Sequence, residues 1–170
     1  MGALAQHCMG EVTAAGPIVS RIKEQFIPIR LSMLESPAYR TLSVLARRVL
    51  NAIELEHLKH GGKDNNRLIV PYKTLCAYCC TANRRTLAQA IRELEALGFI
   101  IVIRGHAGNG VERAPNMFGL TYLPGHNGGP PSDNWKDIST IEEAQARLAA
   151  AKKGRPQSDW FKGAKHVGAI

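Results

Sequence analysis

The sequence predicts a mainly α-helical protein of the α+β class, with one small β-hairpin. Two observations carry this prediction. Apolar residues recur at three- and four-residue spacing in successive segments, and two short β-rich runs flank a loop that contains glycine. The 170 residues, 45% of them hydrophobic, suit one ordinary domain with appendages and can supply a core.

A long helix is predicted from Ser36 to about residue 60. Serine caps a helix start, and Pro37 suits the first turn. Gly61 and Gly62 are expected to stop this helix. Before it, FIPIRLSML predicts an extended or irregular lead-in, because Pro28 disfavours helix. The predicted buried face consists of Tyr39, Leu42, Leu45, Ala46, Val49 and Ile53.

Two shorter helices are predicted after a polar loop, KDNNR, and a brief strand, RLIVPY. Residues 72–79 form the first, and the second begins near Asn83 and ends at Leu97, where Gly98 is a natural cap. The turn CTAN separates them. On the first helix, one side is expected to carry Leu75, Tyr78 and Cys79.

The hairpin consists of FIIVIRG, the loop AGNGVERAP and the returning strand NMFGLTYL. PGHNGGPPSDN is rich in turn formers and predicts a linker, whereas STIEEAQARLAAAKK has a capping-box-like start and good helix formers. The predicted organisation is a flexible N-terminal arm, the main domain, a linker, and a C-terminal helix with a basic tail, at residues 1–25, 26–124, 125–138 and 139–170.

The formal charge of +8 and the pI near 9.6 suit a polyanionic partner, either nucleic acid or an anionic membrane surface. No apolar run is long enough to span a bilayer, and the start lacks the pattern of a secretion signal. Three cysteines bunched in 76–80 do not form a disulfide framework of the secreted type. We therefore expect a cytoplasmic protein, and a nucleoid-associated one where DNA is the polyanionic partner.

The helix at 83–97 has two distinct faces. At 100° per residue, its apolar residues fall in one arc, and Arg85, Gln89, Arg92 and Ala96 lie opposite. Arginine and glutamine can make paired hydrogen bonds to guanine and adenine edges in the major groove. The alternative is that these side chains only solvate an amphipathic helix.

This order of elements resembles the winged helix-turn-helix family of bacterial DNA-binding proteins over residues 36–124. The resemblance is carried by VPYKTLCAYCC, RRTLAQAIRELEALGFI and the glycine-bearing loop. It implies that helix 83–97 enters the major groove of double-stranded DNA and that loop 105–115 is the wing. The DNA-binding candidates are Tyr72, Lys73, Thr74, Thr81, Asn83, Arg84, Arg85, Thr86, Gln89, Arg92, Arg104, His106 and Arg113.

The turn between the two helices departs from the family pattern. Such turns usually contain glycine, and this chain has Cys79, Cys80, Thr81 and Ala82 instead. The spacing between the two helices is also about one residue longer than in the commonest pattern. The sequence therefore defines the first residue of the second helix only to within a residue or two.

The resemblance implies a sequence-specific DNA-binding protein, with transcriptional regulation as the leading use. Replication initiation or control for a plasmid or phage is the alternative within this class. A protein-interaction module that uses the same surface is the alternative from another class. The sequence does not decide whether the protein forms a homodimer, because no heptad run marks a contact surface. No membrane partner and no small-molecule ligand are predicted.

The remaining candidates carry weaker signals. Cys76, Cys79 and Cys80, with His57 or His60 upstream, could in principle bind zinc or sense redox change, but the cysteines also suit small buried positions. No motif for a nucleophile, a phosphate-binding loop or a catalytic metal is present, so neither an enzyme nor a cofactor is predicted. The C-terminal segment could add sequence-independent DNA affinity, or be a solvated tail, through Lys152, Lys153, Arg155, Lys162 and Lys165, with Trp160 and Phe161 as stacking groups.

Overall fold

The computed structural model describes residues 24–105 and 115–153. These residues form a mainly helical fold with a two-stranded antiparallel hairpin, which confirms the α+β prediction. The predicted arm at 1–25 lies almost wholly outside the described residues. None of the helices in the described ranges is long and apolar enough to cross a membrane. The elements are α1 (Leu31–Glu35), α2 (Pro37–Thr41), α3 (Val44–Lys59), α4 (Tyr72–Tyr78), α5 (Arg84–Ala96), β1 (Ile100–Ile103), β2 (Met117–Leu120), a 3-10 helix (Asn134–Asp137) and α6 (Ile141–Lys153).

Where one long helix was predicted from Ser36, the structure has two, α2 and α3. Ser36 caps the first as expected, since its Oγ accepts a hydrogen bond from Tyr39 N at 3.1 Å. The chain then becomes extended at Leu42 and Ser43, and Ser43 Oγ caps α3 by accepting from Ala46 N at 3.1 Å. The irregular lead-in is also corrected at its end, where Leu31–Glu35 is helical.

The core lies where α3 and α5 pack together, with α4 against α3 and α5. The apolar faces predicted for these helices are largely correct, and Val49, Ile53, Leu87 and Leu94 are fully buried. Tyr78 was expected beside Leu75 and Cys79, but its side chain is 43% exposed. In so short a helix, Leu75 and Cys79 complete the buried side one turn apart.

The hairpin pairs Ile100 with Leu120 at its base and Ile103 with Met117 towards its loop. The brief strand predicted at 67–72 is reduced to one bridge, in which Leu68 and Phe118 exchange both backbone hydrogen bonds. This bridge adds a third extended segment beside β2. The hairpin strands are shorter than the predicted runs, because residues 121–123 leave the ladder.

The loop between α3 and the Leu68 bridge was predicted as a polar loop, and within it Asn65 is only 1% exposed. Its amide nitrogen donates to the carbonyl oxygens of Leu120, Leu123 and Pro124 at 2.9–3.0 Å, and its amide oxygen accepts from Leu120 N at 2.7 Å. One side chain therefore fastens this loop to the base of the hairpin.

The segment predicted as a linker ends inside the core, since Trp135 and Ile138 are 3% and 2% exposed. Asp133 receives two hydrogen bonds from the Arg30 guanidinium, both 2.7 Å, so the segment is also held to the start of the fold. Burial alone would raise the pKa of Asp133, but Arg30 and Lys136 hold it below its ordinary value. The segment 133–138 is thus anchored to the core through Trp135 and Ile138.

Candidate nucleic-acid interface

Helix α5 begins one residue after the predicted start, because Asn83 is its cap. The Asn83 Oδ1 atom accepts hydrogen bonds from Arg85 N at 3.0 Å and from Thr86 N at 3.3 Å. At the other end, Gly98 has φ +78° and lies directly after the cap residue Leu97. Both ends are therefore fixed by local chemistry that the sequence carries.

The two faces of α5 differ in burial as predicted. Its apolar side lies in the core, with Leu87 and Leu94 fully buried, whereas Arg85 and Gln89 are exposed one helical turn apart. Within the described ranges, neither of these two side chains takes part in a hydrogen bond or an ion pair. Arg92 and Ala96, further along the same ridge, are half-buried.

The N-terminal ends of α4 and α5 meet on one surface. The Arg84 guanidinium carbon lies 5.9 Å from the centroid of the Tyr72 ring, a cation–π distance. Lys73 and Thr74, beside Tyr72, are exposed, as are Asn83 and Thr86 at the start of α5. The structure therefore groups on one surface most of the residues that the sequence singled out on these two helices.

The turn between α4 and α5 uses a cysteine where a glycine would be expected. Cys80 has φ +52°, in the left-handed region that glycine adopts most easily. Thr81 is half-buried, and its hydroxyl accepts a hydrogen bond from Asn83 N at 3.3 Å. Thr81 therefore contributes to the geometry of the turn.

The three cysteines have three different environments. Cys79 is buried, Cys76 is half-buried and Cys80 is exposed. Burial raises the pKa of the Cys79 thiol, with a nearby Arg48 offsetting part of the effect, so this group is a neutral core side chain near pH 7. In the part of the chain that the structure describes, no three His, Cys, Asp or Glu side chains come together as metal ligands.

Arg104, at the end of β1, is tied to α5. Its guanidinium donates to both carboxylate oxygens of Glu95, at 2.9 and 3.2 Å, and the Glu95 side chain is only 7% exposed. This ion pair gives Arg104 a structural role at the root of the loop, while its side chain stays 44% exposed. His106 and Arg113 lie outside the described residues.

Glu93, on the flank of α5, is also used within the fold. Its carboxylate accepts hydrogen bonds from the backbone nitrogen and the hydroxyl of Ser43, the residue that caps α3. Two acidic side chains in the C-terminal half of α5 therefore connect it to other elements: Glu93 to the start of α3, and Glu95 to the end of β1.

The sequence did not indicate that α6 lies beside α5. Leu148, Ala151 and Lys152 of α6 line a shallow cleft with Gln89 and Glu93. Ala144 and Ala151 of α6 are buried, and such small side chains allow two helices to approach closely. The alanines in AQARLAAAKK were the available signal, although they are equally good helix formers.

Comparisons with protein-family models, with curated proteins and with solved structures find no match to this chain. The residues of this chain and their arrangement are therefore the basis for assigning a function. Their arrangement is a helix with one face in the core and an outer face whose Arg85 and Gln89 have no hydrogen-bond partner among the described residues, beside a helix whose N-terminal end meets its own. Such a surface offers hydrogen-bond donors and positive charge to an anionic partner.

Proposed function

We propose that this protein is a winged helix-turn-helix protein that binds double-stranded DNA at preferred sequences. The element order supports the fold assignment, because α3 is followed by the Leu68 bridge, α4, a turn, α5 and the hairpin. The pairing of Leu68 with Phe118 puts the early segment next to the returning strand of the hairpin. In this proposal α5 is the recognition helix and loop 105–115 is the wing.

The observation that carries the proposal is the exposure of Arg85 and Gln89 on the outer face of α5. Both side chains project from the same ridge without a hydrogen-bond partner in the described residues, and the opposite face holds the helix in the core. Arginine binds the O6 and N7 atoms of guanine, and glutamine binds the N6 and N7 atoms of adenine. A rigid helix that presents both groups can therefore discriminate between base pairs.

The residues around this ridge suit phosphate contacts. The N-terminal turns of α4 and α5 present Lys73, Thr74, Arg84 and Thr86 at the surface, and backbone amides at a helix start also attract anions. The net charge of +8 favours the same partner. We assign base recognition to Arg85 and Gln89, and positioning on the backbone to the surrounding side chains.

We place the protein's use in transcriptional regulation, with replication control of a plasmid or phage as the alternative. The two uses share one DNA-binding surface, so the position of the bound sites distinguishes them. Sites next to promoters support regulation, and clustered sites at an origin support replication control.

The test is in-vitro selection of bound sites from random duplexes with the full-length protein. We expect a consensus that includes guanine and adenine within one major-groove segment, and a palindromic consensus would indicate a dimer. Enrichment of no sequence, with binding that depends only on ionic strength, would overturn the proposal of sequence recognition.

A further inference from the structure

We propose that Tyr72 is a positioning residue for phosphate binding. Its ring holds the Arg84 guanidinium where the N–H groups of that side chain meet a phosphate at the wall of the groove that α5 enters. This inference rests on the proposed function and deepens it, since it gives two neighbouring residues of the interface different roles. Arg84 contacts the DNA, and Tyr72 acts through Arg84.

Among the described residues, Arg47 and Arg84 each lie over a tyrosine ring, and the surroundings of the two pairs differ. The Arg47 guanidinium carbon lies 4.9 Å from the centroid of Tyr39, and its Nη2 atom donates to the Tyr39 carbonyl oxygen at 3.2 Å. Arg47 is half-buried, so this pair belongs to the fold. The corresponding distance from Arg84 to Tyr72 is 5.9 Å, but Arg84 is exposed and has no hydrogen bond or ion pair with the described part of the chain. Its N–H groups are therefore available to a partner.

Both ends of the Arg84 side chain are held in place. Its backbone is the first residue of α5, and the start of this helix is fixed by Asn83 Oδ1, which accepts from Arg85 N and Thr86 N. Its guanidinium lies over Tyr72, a half-buried ring that packs against the core from the first turn of α4. An arginine that is ordered before binding loses less side-chain freedom when it contacts a phosphate.

The direction of Arg84 on α5 suits a phosphate better than a base. Successive residues of an α-helix are about 100° apart, so Arg84 points about 100° away from the ridge that Arg85 leads. It points to the side where α4 lies, because α4 carries the ring that it covers. When the ridge is directed to the floor of the major groove, a side chain at this angle reaches the wall, where the phosphates run.

The shape of the guanidinium group allows it to bind a ring and a phosphate together. Its donors lie in the plane of the group, so a ring against one face leaves the N–H groups at its rim free. A phosphate accepts two of these N–H groups in parallel, which the ammonium of lysine does not offer. Arg84 can therefore contact Tyr72 and a phosphate at the same time.

The experiment measures the affinity of full-length variants for the preferred duplex and for a random duplex of the same length, over a range of salt concentrations. Tyr72→Leu removes the ring and keeps an apolar side chain against the core, whereas Tyr72→Phe removes only the hydroxyl. Tyr72→Leu is also made in an Arg84→Gln background. The control is Tyr39→Leu, which removes a ring that Arg47 covers and that packs on Phe99, just after the C-terminal end of α5. Circular dichroism and unfolding curves check that each variant is folded.

We expect Tyr72→Leu to weaken binding to both duplexes alike, by roughly two- to fivefold, because the DNA must then order Arg84 without the ring. The slope of log affinity against log salt should stay the same, since the charge of Arg84 still reaches the phosphate. Arg84→Gln should flatten that slope by roughly 0.9, and in this background Tyr72→Leu should have no further effect. Tyr72→Phe and Tyr39→Leu should bind like the unmodified protein.

Arg84→Lys tests the same inference without a change at the core. Lysine keeps the charge but not the planar group, so we expect an unchanged slope and an affinity lower by roughly two- to fivefold. If the unmodified chain binds DNA and either Arg84→Lys or Arg84→Gln binds equally tightly, this inference is wrong and the proposed function stands.

Two further results would overturn the role of Tyr72. Equal weakening by Tyr72→Leu with and without Arg84→Gln would mean that Tyr72 acts only through the fold. A loss for Tyr72→Phe as large as that for Tyr72→Leu would mean that the hydroxyl contacts DNA directly. Failure of the unmodified chain to bind any duplex would overturn the proposed function itself.

Discussion

The two halves of α5 use their polar side chains in different ways. In the C-terminal half, Glu93 holds the cap of α3 and Glu95 holds Arg104 at the end of β1. In the N-terminal half, Arg85 and Gln89 make no hydrogen bond or ion pair within the described residues, although Arg84 lies over a tyrosine ring. One half of the helix is thus built into the fold, and the other offers its polar groups to solvent.

This difference indicates which side chains are available for a partner. A carboxylate that accepts two hydrogen bonds from its own fold cannot be removed without a structural cost. An exposed arginine without a partner contributes little to stability, so substitutions there should act on binding. Changes in the C-terminal half should therefore lower the free energy of unfolding, and changes in the N-terminal half should lower DNA affinity.

The largest effect on stability is expected for Gly98→Ala. The residue has φ +78°, and a Cβ atom there would lie 2.7 Å from the backbone of Asn134, which must then move away from the end of α5. We expect the free energy of unfolding to fall by about 3 kcal/mol or more, measured by chemical denaturation.

Gly61→Ala is the matched control, since Gly61 has φ +65° but no atom within 4 Å of an added Cβ. Gly61→Ala should lower the free energy of unfolding by only about 1 kcal/mol, the cost of holding alanine in a left-handed backbone conformation. Equal losses for the two variants would mean that the close approach of the 3-10 helix to α5 is unimportant.

A smaller effect on stability is expected for Glu95→Ala. This substitution removes the carboxylate that binds Arg104, but Arg104 is 44% exposed and can be solvated by water. We expect a loss of about 1 kcal/mol in the free energy of unfolding, below the cost of stranding a buried charge. Arg92→Ala, in the same half but without an ion pair among the described residues, should change stability by less than about 0.5 kcal/mol. A larger loss for Arg92→Ala than for Glu95→Ala would reverse the assignment of structural roles.

The smallest effect is expected at the turn that leads into the N-terminal half. Cys80→Gly relieves a left-handed conformation, while glycine adds freedom to the unfolded chain, so we expect a net gain of roughly 0.5 kcal/mol. Cys76→Gly, within α4, should instead lose roughly 0.5 kcal/mol or more, because glycine is the poorer helix former and the half-buried thiol packs against the core. Thermal denaturation of both variants measures the difference in sign. Destabilisation by both substitutions would show that the Cys80 side chain itself supports the turn.

Local sequence patterns were enough to predict α5. Its predicted start at Asn83 is one residue early because Asn83 is the cap, and its buried arc and its end at Gly98 depend on residues within one or two helical turns of each other. The same holds for the cap of α6, where Glu143 N donates to Thr140 Oγ1 at 3.1 Å. Arg85 and Gln89 could therefore be placed on the outer face of the helix from the sequence alone.

Contacts between distant segments could not be predicted in this way. The break before α3 is stabilised by Glu93, which lies 50 residues further along the chain. Asn65 belongs to a segment predicted as a polar loop, and its burial depends on carbonyl oxygens near the end of β2. The contact of α6 with α5, beside Gln89, depends on how the segment around Trp135 turns the chain back. Patterns along one sequence do not identify the partner segment in such pairings.

The central claim is tested most directly by measuring the affinity of Arg85→Ala and Gln89→Ala for the selected duplex and for a random one, with unfolding curves taken in parallel. We predict that each variant loses about 1–3 kcal/mol of binding free energy on the selected duplex. Each should also discriminate less between base pairs at the position that the substituted side chain contacts. Stability and affinity for the random duplex should change little. Unchanged affinity and preference in both variants, while they remain folded, would contradict the proposal that this ridge reads DNA.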